Sequence, residues 1–507
     1  MDKQKDKGKV YLVGAGPGDP GLITVRAAEL INLADCIIYD KLVNPILLKY
    51  ARPYTEIIHT PKRIGHGSCK QQQINELLIE KASKGKNVVR LKGGDPCIFG
   101  RGSEEASLLA DAGIDFEIVP GVTAAVAGAE YSGIMLTDRR YSSQVVMVTG
   151  HEAECKEESG IDWKWLAKFN GTIVLYMAVG NLDSITQELL EGGLSPETPV
   201  AAVRNATLPA QKTVKTTLNR LVKTRDSGQI EPPSIIIIGP GAAGDPSLEW
   251  FTAKPLFGQN ICITRDECGN DLLAEKIISR GGNPIPFATI KIKPLTDSND
   301  FLNALADLKR FDWVVFTSVN GAALFFSALD KLAKDARIFA SASIAAIGPR
   351  TADKLAEYSI KVDFVPTKYT SRELALQLIN HTNLKKKNVL LLRSKQASDE
   401  LPELLKKADA KVTESHLYTI EPQESNPAPI IEQIKSSQID WITFASPSSA
   451  ENFFHKISPD IINTASVKIA SIGPVTTRRL KELGVNVDLE SKIQTFDGLL
   501  DAIEEQK

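Results

Sequence analysis

Residues 88–102 read VVRLKGGDPCIFGRG. Apolar residues lead into Lys92, a glycine pair and an acid, and two further glycines flank Arg101. This pattern reads as the end of a buried strand opened toward a ligand. Glycines let a ligand approach the backbone, and Asp95 can accept hydrogen bonds from a ribose or an amino group. Asp-Pro after a strand is also ordinary turn chemistry.

Around this stretch, VYLVG, CIIYD, EIIHT, NVVRLKGGD and FEIVPG read as strands, and segments near 21–33, 70–84, 103–112 and 122–131 read as helices. Strand and helix in alternation predict a parallel sheet covered on both faces. A second, more widely spaced group follows: QVVMVTG, TIVLYMA, PVAAVRNAT and SIIIIG. It predicts a second α/β unit. The Gly-, Pro- and Ala-rich stretch 240–259 reads as the main linker, with 246–258 as its centre.

Beyond it the sequence repeats itself. FDWVVFTSVNGAALFF from Phe311 is echoed by IDWITFASPSSAENFF from Ile439, 128 residues later. SIAAIGPRTADKLAEYSIKVDFV returns as KIASIGPVTTRRLKELGVNVDLE, 125 residues later, and ICITR (261–265) returns as LLLRS near Arg393. Each copy is large enough to be a domain, so two matched α/β lobes with a cleft between them are expected.

Composition narrows the function classes. At roughly 100–200 residues per domain, 507 residues imply three or four units. A net charge of −2 argues against a general affinity for nucleic acid or membranes. No apolar run approaches the roughly 18 residues of a membrane helix. The N-terminal MDKQKDKGK lacks the apolar core of a signal peptide and reads as a frayed start. Six cysteines, none in a CxxC pair, fit reduced thiols in a cytoplasmic protein, and the six histidines show no metal spacing.

The first glycine loop, VGAGPGDPGL (13–22), resembles a dinucleotide fingerprint, but the third glycine position holds Asp19. Pro17 removes a backbone N–H, and Asp19 adds negative charge where a pyrophosphate would sit. The loop reads either as a turn that needs glycine or as a wall for a ligand without phosphate. In the second half, FTSVNG and FASPSS follow apolar runs and precede helices. Their small hydroxyl residues read as N-caps, and the free N–H groups there also suit an anionic ligand.

GAGPGDPGLITVRA, ADCIIYDKLV, NVVRLKGGDPCIFGRGSEE and VPGVTAAVAGAEYSGIMLTDRR together resemble uroporphyrinogen-III C-methyltransferases of the tetrapyrrole methylase family, over about residues 8–245. The resemblance implies a cleft between two α/β domains, about 8–135 and 136–245, that binds S-adenosylmethionine. It places Pro17, Gly93, Gly94, Asp95, Ile98, Thr123, Ala124, Met177 and Ala206 at the cofactor. It makes Asp40 a proton acceptor and Lys62 a proton donor. Read without it, Asp40 is a strand-end acid capping the next helix, Lys62 a solvated lysine and Met177 a core residue. GVTAA stands where GITSA is expected, and IMLTDR where IPLTHR is expected, which puts Asp138 at a usual histidine. Arg63, His66, Arg101, Arg139 and Arg140 are candidates to meet substrate carboxylates, because arginine forks match them. The family also implies a homodimer through this half.

The motifs ITR, DWVVFTSVNG, AAIGPRTADKL, LLLRS, LYTI, ITFASPSS and SIGPVTTRRL resemble uroporphyrinogen-III synthases. That resemblance implies two lobes, 259–291 plus 421–507 and 292–420, with no cofactor and no metal. Tyr418 is the candidate to assist loss of the substrate hydroxyl, and a buried strand-end tyrosine is the plainer reading. Thr317, Ser318, Ser446, Ser448 and Thr476 are candidate substrate-binding residues. The expected fold class is therefore α/β: a two-domain tetrapyrrole methylase followed by a two-lobed synthase. The expected activity is cyclisation of hydroxymethylbilane to uroporphyrinogen III with inversion of one ring, then two methyl transfers giving precorrin-2, upstream of sirohaem or cobalamin. The competing reading has the first half methylating another substrate and the second half binding a tetrapyrrole without catalysis.

Overall fold

The computed structural model describes residues 7–52, 54–60, 67–151, 160–339 and 342–506. The apolar runs of the first 135 residues form β1 (Val10–Gly14), β2 (Cys36–Tyr39), β3 (Glu56–His59), β4 (Val88–Lys92) and β5 (Phe116–Val119). They make one parallel sheet in the order β3-β2-β4-β1-β5. Successive side chains of a strand point to opposite faces. Val89 and Leu91 of β4 accordingly join the core formed with Leu30 and Ile31 of the helix Val25–Leu33. Val88 joins the opposite core, with Ile74, Leu78 and Leu109 of the helices Gly67–Ser83 and Gly102–Asp111. Arg90 and Lys92 share the face of Val88, and both are buried. This alternation sets two cations beneath the helix that carries Glu105.

The second sheet holds β6 (Val145–Thr149), β7 (Thr172–Tyr176), β8 (Pro199–Arg204), β9 (Lys212–Thr217) and β10 (Ser234–Ile238), in the order β6-β7-β10-β8-β9. Only β6 and β7 run parallel; β10 pairs antiparallel with β7 and β8, and β9 with β8. Residues 246–258 are not a free linker. Tyr131 meets the rings of Trp250 and Phe251 at 4.7 Å each, and Phe251 and Leu256 are buried. Apolar area in this Pro- and Gly-containing segment folds it onto the first unit, which ends at Gln259 and also takes Ile277–Asn283.

The second unit contains β11 (Asn260–Ile263), β12 (Asn283–Pro286), β13 (Ile290–Pro294), β14 (Trp313–Phe316), β15 (Ser343–Ala346), β16 (Asn388–Ser394), β17 (Lys411–Pro422), β18 (Trp441–Phe444), β19 (Lys468–Ser471) and β20 (Leu489–Glu490). One lobe has the sheet β12-β11-β18-β19-β20 and the other β13-β17-β16-β14-β15. The chain passes from the first of these sheets to the second between β12 and β13 and returns between β17 and β18. At the crossing β13 and β17 pair antiparallel, from Ile290 opposite Pro422 to Pro294 opposite Tyr418. The repeat is one of structure as well as sequence. Asp312 and Asp440 each accept the backbone N–H that opens a neighbouring strand, from Asn388 at 2.8 Å and Asn260 at 2.7 Å. Asp363 and Asp488 do the same for Ile344 and Ile469, both at 2.7 Å.

Candidate active sites

β1 and β4 are parallel neighbours, so their C-terminal ends emerge side by side. The two glycine loops they feed are hydrogen-bonded to each other: Gly16 N–H donates to Gly94 O at 3.2 Å, and Gly94 N–H to Gly16 O at 2.7 Å. A Cβ on Gly121 would lie 2.3 Å from the Gly94 oxygen, and one on Gly14 2.6 Å from Gly121, so these turns touch backbone to backbone. Asp95 laces them. Its Oδ1 accepts from Cys97 N–H at 2.8 Å and Ile98 N–H at 3.1 Å, and its Oδ2 accepts from Gly121 N–H at 3.0 Å. A carboxylate already holding three N–H groups shapes the loop before it meets any ligand.

Above these loops lies a cleft of about 500 Å³. Pro17, Gly93, Gly94, Asp95 and Ile98 line it from the first sheet, Thr123 and Ala124 from the start of the helix Ala124–Glu130, and Met177 and Ala206 from the second sheet. The structure thus brings together all nine residues that the family resemblance places at the cofactor. Sequence reasoning passed over Tyr176, which also lines the cleft. Its hydroxyl lies 2.6 Å from Thr123 Oγ1 and accepts from Ala125 N–H at 2.9 Å, while its ring meets Phe99 at 4.9 Å. Burial raises the pKa of this hydroxyl. Phe99, Met177 and Asn205 line the cleft with φ of +53°, +52° and +48°. Left-handed backbone at non-glycine residues costs roughly 1–3 kcal/mol each and gathers at functional sites. No lysine, arginine or histidine occurs among the described lining residues.

Asp40 follows β2 and lies across from the end of β4, one residue before Gly93. Its Oδ1 accepts from Arg90 Nη2 at 2.7 Å and from Thr60 Oγ1 at 3.2 Å. Among the described residues the side chain caps no helix; Arg90 and Thr60 take the carboxylate. Behind it, Glu105 Oε1 accepts from Arg90 Nε at 3.2 Å, Lys92 Nζ at 2.9 Å and Gln71 Nε2 at 2.9 Å, and Glu105 Oε2 is buried without a partner. Burial, followed by the nearby Arg90 charge, lowers the pKa of Lys92.

Lys62, Arg63 and His66 lie outside the described residues. Arg101 pairs with Glu104 at 2.6 Å, and Arg139 is exposed. Arg140 pairs with Asp138 at 2.7 Å and holds its carboxyl well below the usual range. Asp138 also accepts from Arg140 N–H at 2.8 Å, so it organises its own turn.

In the second unit, the buried Tyr418 donates its hydroxyl to Ser318 Oγ at 3.1 Å. Ser318 is the N-cap of the helix Val319–Lys331 and accepts from Gly321 N–H at 2.9 Å; Thr317 Oγ1 donates to Leu392 O at 3.2 Å. These three residues form one cluster. In the other lobe Ser446 caps the helix Pro447–Phe454 and lies 3.1 Å from Ser448 Oγ, whereas Thr476 is 3% exposed. Ser318 and Ser446 serve as the N-caps their spacing predicts. Among the described residues, no group of three acidic, histidine or cysteine side chains is placed to hold a metal, and no helix is long and apolar enough to cross a membrane.

Comparison with known proteins follows the same division. The profile of the Tetrapyrrole (Corrin/Porphyrin) Methylases matches residues 9–222, and that of Uroporphyrinogen-III synthase HemD matches residues 271–501. Over 498 residues, 98% of each chain, the protein is 35% identical to the porphyrin biosynthesis protein HemD of Ruminiclostridium josui. Over 232 residues, 46% of this chain and 91% of the relative, it is 46% identical to the S-adenosyl-L-methionine-dependent uroporphyrinogen III methyltransferase of Methanosarcina barkeri (strain Fusaro / DSM 804). The solved uroporphyrin-III C-methyl transferase of Thermus thermophilus complexed with S-adenyl homocysteine is 37% identical, with 46% of this chain and 92% of that chain covered and a TM-score of 0.39. With one relative matching both halves end to end, the chain belongs to the family that fuses a tetrapyrrole methylase to a uroporphyrinogen-III synthase, and it is an enzyme carrying uroporphyrinogen-III C-methyltransferase and uroporphyrinogen-III synthase functions.

Proposed function

We propose that the second unit closes hydroxymethylbilane to uroporphyrinogen III with inversion of the last ring, and that the first unit methylates this product twice to give precorrin-2. The observation that carries the methylase reading is one cleft uniting nine family positions with no cationic side chain among its described lining residues. Exposed backbone edges, the Thr123 hydroxyl and apolar walls suit a nucleoside, and Asp95 adds the one negative charge that suits a sulfonium. The Methanosarcina barkeri relative is named for S-adenosyl-L-methionine, in keeping with this ligand.

S-adenosylmethionine, when bound, supplies an electrophilic methyl group. Gly93, Gly94, Thr123, Ala124, Met177 and Ala206 hold and orient it. Each transfer breaks the methyl–sulfur bond, leaving S-adenosylhomocysteine, forms a carbon–carbon bond at an electron-rich pyrrole carbon and releases a proton, which Asp40, oriented by Arg90, accepts. Arg101 and Arg139 are assigned to substrate carboxylates.

In the second unit the Tyr418–Ser318 pair assists departure of the terminal hydroxyl as water. Thr317, Ser446, Ser448 and Thr476 are assigned to the substrate, and this unit works without a cofactor. Its main task is to hold a flexible chain so that inverted closure outruns spontaneous closure. The protein is read as a cytoplasmic homodimer assembled through the methylase unit.

Freshly made hydroxymethylbilane, with and without S-adenosylmethionine, tests both steps by chromatography and mass. Type III uroporphyrinogen without the cofactor, and a product two methyl groups heavier with it, are expected. Type I product alone removes the synthase step, and unmethylated type III product removes the methylase step.

A further inference from the structure

The two lobes of the second unit repeat each other, so positions that break the repeat stand apart from what the fold requires. Arg350, in the first turn of the helix Pro349–Ala356, has Val475 as its counterpart 125 residues on. Phe496, which opens the helix Phe496–Glu504, has Ser371 as its counterpart 125 residues back. Arg350 and Phe496 nevertheless meet across the lobes, with the guanidinium 5.2 Å from the ring centroid. Arg265, just past β11, lies over the same ring at 5.6 Å. A packing device needed by each lobe would recur in both, and this one does not.

The charges of the two arginines are poorly compensated. Arg350 is exposed, and no carboxylate pairs with it among the described residues. Among the described residues Arg265 pairs with Asp266 alone, at 3.2 Å, and its Nε is buried without a partner. Its repeat counterpart Arg393 shares the partnerless buried Nε, but its other nitrogens are paired with Glu414 at 2.9 Å and with the Ser398 carbonyl at 2.5 Å. A guanidinium resting on an aromatic face keeps its in-plane N–H edge free for a carboxylate. Two guanidiniums over one ring also repel each other, and an anion between them offsets that repulsion. Apolar side chains stand exposed beside them. Tyr369 is 59% exposed and packs over Gly348, two residues before Arg350; Ile493, three residues before Phe496, is 62% exposed.

We infer that Arg265 and Arg350 bind the acidic side chains of the linear tetrapyrrole that the synthase unit cyclises, with Phe496 holding both guanidiniums where the lobes meet. The exposed apolar residues serve its pyrrole rings. The inference rests on the synthase reading above and adds to it a cationic subsite built from both lobes.

The test is steady-state cyclisation of fresh hydroxymethylbilane by the full chain. Arg350→Ala is expected to raise KM about tenfold or more, the loss of a charge-assisted hydrogen bond, with kcat changed less than about threefold and a weaker dependence of KM on salt. Arg265→Ala should act in the same direction, and Arg350→Lys should recover part of the loss. Phe496→Leu, which keeps both charges, should shift KM less and retain the salt dependence. Arg337→Ala, an arginine 91% exposed on its pair with Asp335, is the control and should leave KM unchanged. A KM for Arg350→Ala within twofold of the parent overturns the proposal, as does a loss of kcat at constant KM, the mark of lobe packing alone. If Arg265→Ala unfolds, the exposed Arg350 decides the matter. An intact parent chain that yields only type I product removes the synthase reading itself, and the proposal falls with it.

Discussion

Arg90 holds Asp40. The guanidinium, almost wholly buried beneath the first sheet, donates to the Asp40 carboxylate across 2.7 Å while its Nε reaches Glu105. A carboxylate held by a buried guanidinium keeps its direction. Asp40→Asn should therefore lower kcat for methylation of supplied uroporphyrinogen III by about 10²–10⁴, the usual worth of a general base. Binding of S-adenosylmethionine, followed by calorimetry, should stay within about twofold. Unchanged kcat would reduce Asp40 to a structural partner of Arg90.

Tyr176 ties the wall of the cleft to the helix that starts at Ala124, through the Thr123 hydroxyl and the Ala125 N–H. Tyr176→Phe removes one acceptor from two donors. A loss of about 1–2 kcal/mol, or roughly tenfold in affinity for S-adenosylmethionine, is expected. The synthase rate should not move. Equal affinities for parent and variant would show that the hydroxyl only packs.

Gly121 has no room for a side chain, since a Cβ there would meet the Gly94 oxygen at 2.3 Å. Gly121→Ala must push the two glycine loops apart. Cofactor binding should fall by more than tenfold while type III uroporphyrinogen still forms, because the substitution sits in the other unit. A crystal structure or calorimetric titration showing an undisturbed cleft would contradict this.

Tyr418→Phe leaves the ring in its core and removes only the bond to Ser318. If the hydroxyl assists departure of water, cyclisation should slow by at least about tenfold, with KM nearly constant and more type I product from spontaneous closure. A pure binding module has no such rate to lose, so chromatography of the isomer ratio separates the two.

Glu56, on β3, bridges Lys81 and Lys86, and their hydrogen bonds hold its pKa down at about 2. A depressed carboxylate contributes stability that is complete above the ordinary glutamate value, about 4.3, and is lost as pH falls through about 2. The pair is partly solvated, so screening keeps its worth below about 1 kcal/mol. Melting curves between pH 5 and 2 should show a shallower fall for Glu56→Gln than for the parent chain.

The first sheet was legible because its central strands β1, β2 and β4 are buried on both faces and are rich in Val, Ile and Leu, which even its exposed edge strands β3 and β5 share. β9, KTVKTT, escaped for the opposite reason: it is an edge strand whose lysines and threonines show no apolar alternation. Trp250 and Phe251 sit in a stretch whose glycines and prolines read as a linker, and only their stacking on Tyr131 shows otherwise. Tyr176 lay beside a methionine that drew the attention. Its partner Thr123 is 53 residues away, a distance no local pattern spans. The left-handed backbone of Phe99, Met177 and Asn205 follows from tertiary packing rather than from residue type. Arg350 and Phe496 were hidden because a repeat draws the eye to what recurs, and their pairing is what does not.

The double crossing of the second unit bears on its birth at the ribosome. β11 pairs with β12 on one side and with β18 on the other, and β18 begins 178 residues after β11 ends. At about 5–20 residues per second of synthesis, residues 260–263 wait on the order of 10–35 s for that neighbour. The uninterrupted lobe, from β13 through β17, is complete before β18 emerges and can fold first. The nascent chain therefore carries an apolar strand, Ile261-Cys262-Ile263, mated on one side only, by β12, through most of the unit's translation, which makes its open edge the expected client of whatever shields new chains.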